Sequence, residues 1–345
     1  MTAEGTPVLE ARGLTKTFVA RRGGRVGQVL AMSAVDISLY PGKILALVGQ
    51  SGSGKSTTAK VLALLERPDS GTILLDGEPV NLPAAIRYRR AVQRYRRAVQ
   101  MVFQDPFASL NPAHTVAYHL SRPIQLHRHP TTKGQVKDLS VDLLEQVNLR
   151  PAEAFLPKFP HELSGGQRQR VAIALGLAVG PKVLLADEPV SMLDVSIRLG
   201  VLNLLRDLAL GHRLAVLYIT HDIASARYFA DTIAVMYEGS IVERGPAQEI
   251  VEHPAHPYTK LLLAAAPRAG RDRGATRSLP VRATAAGGGA PVTTGCRFAP
   301  RCPHAVPRCT SERPPEFTTG AARSAACFLL MGSAGDRADT TARWQ

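Results

Sequence analysis

KILALVGQSGSGKST, residues 43–57, is the stretch from which the rest of the chain can be read. A short apolar run leads into a glycine-rich turn and then into helix-forming residues. That strand–loop–helix context is what gives a phosphate-loop pattern its meaning. Gly49, Gly52 and Gly54 let the backbone amides curl around phosphate oxygens, with Ser51 and Thr57 in the same cradle. Lys55 reaches toward the terminal phosphates, and the Ser56 hydroxyl is expected to ligate Mg²⁺. The N-terminus of the following helix adds its positive dipole end. A strand feeding such a loop predicts an α/β fold around a parallel sheet.

Working outward, LSGGQRQR at 163–170 supplies Ser164, Gly165, Gly166 and Gln167 just ahead of a helix, a second phosphate-facing surface. The phosphate loop of the same chain has no need of it. The simplest expectation is that it serves a nucleotide held by another subunit. VLLAD, residues 183–187, is a continuous apolar run of the kind buried on both faces of a parallel sheet. Asp187 at its end is expected to hold Mg²⁺, and Glu188 to polarise the attacking water. LAVLYIT, 214–220, is a second such strand, and His221 after it is expected to sense the γ-phosphate. Gln104, after the short strand in MVFQDP, is placed to reach both Mg²⁺ and the water. Asp194, in SMLD, is expected to cross to the partner subunit. Phe18 reads either as an adenine-stacking ring or as core.

Residues 8–48 alternate short β-type runs with turns, residues 70–80 and 233–245 read as hairpins, and 113–180 as mostly helical. Helix is expected to continue from Lys60 to Glu66. The copies RYRRAVQ at 87–93 and 94–100 form a perfect tandem repeat, and a helix absorbs seven residues with little rotation of its face. The net charge of +14 permits an anionic partner without requiring one. No signal-peptide pattern and no apolar run of bilayer-spanning length are visible, so a cytosolic location is expected.

Residues 267–295, rich in Pro, Gly, Ala and Arg, read as a linker. Behind it, Cys296, Cys302, Cys309 and Cys327 follow the spacing C-x5-C-x6-C-x17-C, which marks 296–327 as a separate small module. Four thiolates can hold a [4Fe–4S] cluster or structural Zn²⁺. The absence of a short C-x2–4-C knuckle favours the cluster, with zinc and bare cysteines as alternatives.

The order Phe18, GQSGSGKS, Gln104, LSGGQ, VLLADE, SMLD and His221 resembles the ATP-binding subunit of an ABC transporter across residues 8–266. FQDPFASLNP (103–112), the segment 245–267 with HPYT at 256–259, and GCRFAPRCPHAVPRC (295–309) resemble the oligopeptide/dipeptide import subfamily. The resemblance implies a nucleotide-binding domain over 1–266: a parallel RecA-like core sheet, an antiparallel β subdomain and a helical subdomain over about 108–180. A linker and Cys-containing extension fill 267–345, and some relatives hold an iron–sulfur cluster there. It also implies an ATPase at the cytoplasmic face of the membrane, working with ATP and Mg²⁺ to power di- or oligopeptide import. Its partners would be a second, related ATP-binding subunit, two transmembrane permease subunits and an extracytoplasmic substrate-binding protein, with no nucleic acid. Two alternatives stand: an importer of another ligand such as nickel, and a soluble ABC ATPase acting on nucleic acid. The second usually needs two ATPase domains or a long coiled-coil insertion, and this chain has one of each motif and no heptad run.

Overall fold

The computed structural model describes residues 5–22, 25–80, 86–105, 109–128, 132–266 and 294–331. The linker, apart from its last two residues, lies outside them. Two sheets organise the chain. In the first, β1 (Leu9–Arg22) and β2 (Arg25–Leu39) pair antiparallel, and β4 (Ser70–Leu75) and β5 (Glu78–Pro79) complete the order β2-β1-β4-β5. The short runs expected over 8–48 are in fact two long strands as far as Leu39 and one short strand, Ile44–Val48. Register shifts between Ala11 and Thr17 let the ribbon twist instead of ending it.

The second sheet is built on β3 (Ile44–Val48), β6 (Val99–Val102), β7 (Val183–Asp187), β8 (Ala215–Thr220) and β9 (Thr232–Tyr237), all parallel. Every residue of β7 and β8 is buried, which is why both read as unbroken apolar runs. In β3 the alternation of side chains divides two cores. Ile44, Ala46 and Val48 join one, and Leu47 joins the other. The first core lies under the helices of the middle of the chain; the second is shared with the antiparallel sheet and the helix after the phosphate loop.

That helix, α1 (Lys55–Leu62), is shorter than the sequence suggested. Leu64 takes a left-handed conformation (φ 53°), and Leu65 N–H donates to the Lys60 carbonyl, closing the helix before Glu66. Helix α2 (Ile86–Ala98) carries most of the tandem repeat. In its second copy the buried Tyr95 hydroxyl donates to the Leu62 carbonyl at 2.5 Å, and Arg96 reaches the Leu64 carbonyl. Arg97 donates to the Val179 carbonyl, and Lys182 N–H to the Ala98 carbonyl. These contacts place the repeat beside the starts of β6 and β7, the opposite end of the sheet from the phosphate loop.

The helical expectation over 113–180 is met by α3 (Val116–His127), α4 (Lys133–Gln146) and α5 (Gly165–Leu177). Beyond lie α6 (Val195–His212), α7 (Ile223–Phe229), α8 (Ala247–Glu252) and α9 (Pro257–Ala265). Among the described residues no helix is long and apolar enough to cross a membrane.

The cysteine-bearing segment packs directly on this framework. β10 (Ser240–Pro246) continues the core sheet antiparallel to β9. On its free edge sits β12 (Arg323–Ala325), paired in turn with β11 (Phe317–Gly320). Phe298 is buried in the larger core against Tyr237, Tyr258 and His256, at centroid distances of 5.2, 5.5 and 5.8 Å.

Candidate nucleotide site

The carboxyl ends of β3, β7 and β8 lie level, since Val48 pairs with Thr220 and Asp187 with Ile219. The phosphate loop, Asp187–Glu188 and His221 therefore emerge side by side from three strand ends, the place where open α/β sheets bind ligands. Two loop glycines are sterically required. A Cβ on Gly49 would lie 2.2 Å from the Met236 carbonyl oxygen, and Gly54, at φ 105°, would strike the Ala31 carbonyl oxygen at 2.3 Å. The loop can thread between β2 and β9 only without those side chains.

Lys55 is buried, its Nζ donating to the carbonyls of Gly49 (2.7 Å) and Gln50 (2.9 Å). Burial lowers its pKa, and the nearby charges of Glu188 and Asp187 only partly oppose this. An anion in the loop would supply the missing compensation. Ser56 Oγ donates to Asp187 Oδ1 at 3.0 Å. Burial raises the Asp187 pKa and Glu188 adds to the rise, against the Ser56 hydrogen bond and the charges of Lys55 and Lys60. This is an oxygen pair suited to a small divalent cation whose charge would relieve both carboxylates. Ser56 and Asp187 thus fit Mg²⁺.

Glu188 is held from two sides. Gln104 Nε2 donates to its Oε2 at 3.0 Å, and His221 Nδ1 lies 3.2 Å from its Oε1. Its backbone is left-handed (φ 45°), a costly conformation for a non-glycine residue, fixed by its N–H bond to the Ile219 carbonyl. Gln104, Glu188 and His221 line one cleft of about 1380 Å³ with Phe18, Ser51, Gly52, Gly54, Lys55, Ser56 and Thr57. Phe18 is 36% exposed in that lining, with Lys16 Nζ 5.3 Å from its ring centroid. It belongs to the apolar wall of the cleft and not to a core, and so is available for stacking on a base.

Ser164, Gly165, Gly166, Gln167 and Asp194 do not line this cleft. Ser164 caps α5, its Oγ accepting from Gln167 N–H while the Gln167 side chain accepts from Ser164 N–H. A Cβ on Gly165 would meet Leu193, and one on Gly166 would meet Ile197, so the signature turn and the start of α6 at Asp194 form one surface.

The sequence did not indicate the cleft's remaining wall. One side of it comes from Glu238, from Leu262, Ala265 and Ala266 in and after α9, and from Arg297, and another from residues 28–31 of β2. Arg297 donates to the Glu238 carbonyl, and Tyr258 and Arg301 contact the phosphate loop itself. HPYT was legible as a subfamily mark, but no local signal ties Tyr258 to a loop some two hundred residues earlier.

No disulfide joins the four cysteines. Ala299 N–H donates to the Cys296 carbonyl, and burial raises the Cys296 thiol against the nearby backbone amides. Burial pushes the Cys327 thiol up to about 11, and the other three cysteines add to the rise. The donor chemistry suits a thiolate metal group. The geometry does not reach it: among the described residues no three His, Cys, Asp or Glu side chains are arranged to hold a metal ion. Neither the cluster nor the zinc reading is supported by the arrangement of these side chains.

Fold and site together define a phosphate-loop ATP-binding cassette with a C-terminal extension. Residues 32–191 match the family described as ABC transporter, and residues 242–309 the family described as Oligopeptide/dipeptide transporter, C-terminal region. The Di/tripeptide transport ATP-binding protein DppF of Pseudomonas aeruginosa is 42% identical over 309 residues, 89% of this chain and 93% of that protein. The Glutathione import ATP-binding protein GsiA of Salmonella choleraesuis is 44% identical over 273 residues, 78% of this chain but 43% of that protein, so the chain spans less than half of that relative's length. Among solved structures, the dimeric post-hydrolysis state of the cassette MJ0796 bound to ADP and Pi matches with a TM-score of 0.60 at 28% identity, covering 69% of this chain and 98% of that one. The chain belongs to the family of ABC transporter ATP-binding proteins, in the branch that carries the oligopeptide/dipeptide C-terminal region.

Proposed function

We propose that this chain is the ATP-hydrolysing subunit of an ABC importer for di- or oligopeptides. The observation that carries the hydrolytic reading is the clasp on Glu188, one carboxylate oxygen against Gln104 and the other against His221, beside the Ser56–Asp187 pair. A carboxylate so oriented takes the proton of an attacking water. In this reading Lys55 and the loop amides bind and orient the phosphates, and His221 contacts the terminal one through the ring nitrogen that does not face Glu188. Mg²⁺, bound by Ser56 and Asp187, would neutralise charge on the phosphate oxygens. Binding or exclusion of water at Glu188 then depends on how far Gln104 and His221 hold the carboxylate in place.

The signature turn lies outside its own chain's cleft, which supports a head-to-tail pair with a second ATP-binding subunit, identical or related. The oligopeptide/dipeptide match and the DppF relative support peptide as the cargo class, permease subunits as membrane partners and a peripheral position at the cytoplasmic face. The spacing of the four cysteines is what supports a metal-binding role, which anaerobic purification with iron, sulfide and zinc assays tests. The first experiment compares Glu188→Gln and Lys55→Ala with the wild-type chain. Glu188→Gln is expected to bind ATP as the wild type does and to lose turnover at least a hundredfold, on the scale of a removed general base. Lys55→Ala is expected to lose ATP binding. Retained turnover in the first, or unchanged affinity in the second, removes the corresponding assignment.

A further inference from the structure

Gln50, the second residue of the phosphate loop, is gripped at three points. Its carbonyl accepts from Lys55 Nζ at 2.9 Å. Its N–H donates to the Tyr258 hydroxyl of α9 at 3.0 Å. Its side-chain Oε1 accepts from Arg301 at 3.2 Å. The first contact is local to the loop. The other two come from the C-terminal region, across a part of the chain that no phosphate-loop pattern includes.

Both donors and acceptors are themselves anchored. Tyr258 is fully buried, with Tyr237 at 4.6 Å and Phe298 at 5.5 Å between centroids, and its backbone N–H donates to His256 Nδ1. His256 N–H in turn donates to Glu243 of β10, the strand that carries the cysteine segment's sheet edge. Arg301 sits in the turn between Cys296 and Cys302, where its charge is close enough to the Tyr237 hydroxyl to oppose the effect of burial on it. Gly239 N–H, at the end of the same β9–β10 turn, donates to the carbonyl of Ser53 in the loop. The loop is therefore bound at Gln50 and at Ser53 to packed elements from the later part of the chain, while Ser51, Gly52 and Lys55 face the cleft.

We propose that Tyr258 and Arg301 are positioning residues for ATP binding, acting through Gln50 to hold the loop and the Lys55 ammonium in phosphate-ready register. The inference rests on the ATP-site reading above and adds to it a function for the C-terminal region. Losing the Tyr258 hydroxyl frees one loop amide and loosens the carbonyl on which Lys55 rests. Losing Arg301 removes the Gln50 side-chain contact and a charge near the Tyr237 hydroxyl, and leaves the Gln50 N–H bond to Tyr258 in place. The two contacts use different atoms of one residue, which makes them separable.

The test measures ATP affinity of the full chain by equilibrium dialysis without Mg²⁺, steady-state KM and kcat with it, and Tm for each variant. Tyr258→Phe keeps the ring packing and removes only the hydroxyl. It is expected to raise the dissociation constant for ATP about three- to tenfold, the range of one hydrogen bond, with kcat within about twofold of wild type. Arg301→Ala is expected to raise it about two- to threefold. In a Gln50→Ala background the Arg301→Ala effect should vanish, because its partner atom is gone, while the Tyr258→Phe effect should persist, because the backbone N–H remains. Unchanged affinity in Tyr258→Phe, with or without a fall in Tm, overturns the proposal, as does an Arg301→Ala effect that survives in Gln50→Ala. A wild-type chain that does not bind ATP overturns the ATP-site reading and this inference with it; unchanged binding in the variants overturns this inference alone.

Discussion

Asp187 shows how a single residue is prepared for a ligand. It ends a fully buried strand, and its carboxylate meets the Ser56 hydroxyl where burial and the Glu188 charge both disfavour ionisation. A bound divalent cation would offset both effects, adding to the Ser56 hydrogen bond and the charges of Lys55 and Lys60. Asp187→Asn is therefore expected to raise the Mg²⁺ concentration for half-maximal hydrolysis at least tenfold, while ATP affinity measured without Mg²⁺ changes little. A Mg²⁺ titration of the ATPase rate checks it, and an unshifted midpoint would take Asp187 out of the cation site. Glu188, one position on, is set by its left-handed backbone as much as by its partners. The carboxylate is aimed away from β7 and into the cleft, toward Gln104 and His221.

At the scale of elements, the second copy of the tandem repeat ties α2 to its neighbours through Tyr95 and Arg96. Tyr95 of the second copy is 1% exposed, and burial pushes its phenol far above the ordinary range, so the hydroxyl stays a donor to Leu62. That bond ties α2 to the end of the helix that follows the phosphate loop. Tyr95→Phe is expected to cost about 1 kcal/mol and Tyr95→Ala about 3–5 kcal/mol of folding stability, by loss of one buried hydrogen bond or of a large buried side chain. Denaturant unfolding measures both; equal costs would mean that the hydroxyl carries the whole effect. The same scale explains why α1 stops early. Periodicity from Lys60 to Glu66 reads as helix, but left-handed Leu64 turns the chain toward Asp69 and β4.

For the whole molecule, the junction between the cassette and its C-terminal region rests on Glu243 and His256. The Glu243 carboxylate accepts from Ala255 N–H and His256 N–H. Burial lowers the His256 pKa to about 4 from the ordinary 6.5. Above pH 6.5 the imidazole is neutral in both folded and unfolded chains and adds no pH dependence. Below that, the unfolded chain binds a proton that the folded chain refuses, so stability falls as pH falls from 6.5 toward 4, by on the order of 3 kcal/mol at the bottom of the window. Glu243, whose carboxyl burial raises, has the opposite sign and loses stability as pH rises through its folded pKa. Comparing wild type with His256→Asn separates the two. The variant is expected to show a flatter Tm between pH 6.5 and 4, and a parallel profile would mean that His256 does not titrate with unfolding.

The division between sequence and tertiary structure follows from range. The phosphate loop, the buried strands ending in Asp187 and Thr220, and the capped signature turn are set by local chemistry: glycines where a backbone must pass, apolar runs where both faces are covered, a serine where a helix begins. Those stretches determined the α/β cassette and most of the site's residues. Local pattern does not carry distance. The clasp on Glu188 depends on strands β6, β7 and β8 lying adjacent and in register. Phe18 is a cleft residue because it pairs with Val29 in the β1–β2 ribbon and both line the cleft, and the signature turn caps α5 outside that lining. The cysteines, an even array in sequence, are short of metal-holding geometry once folded. The grip of Tyr258 and Arg301 on Gln50 exists only because packing of aromatic rings brings the last third of the chain against its first sixty residues.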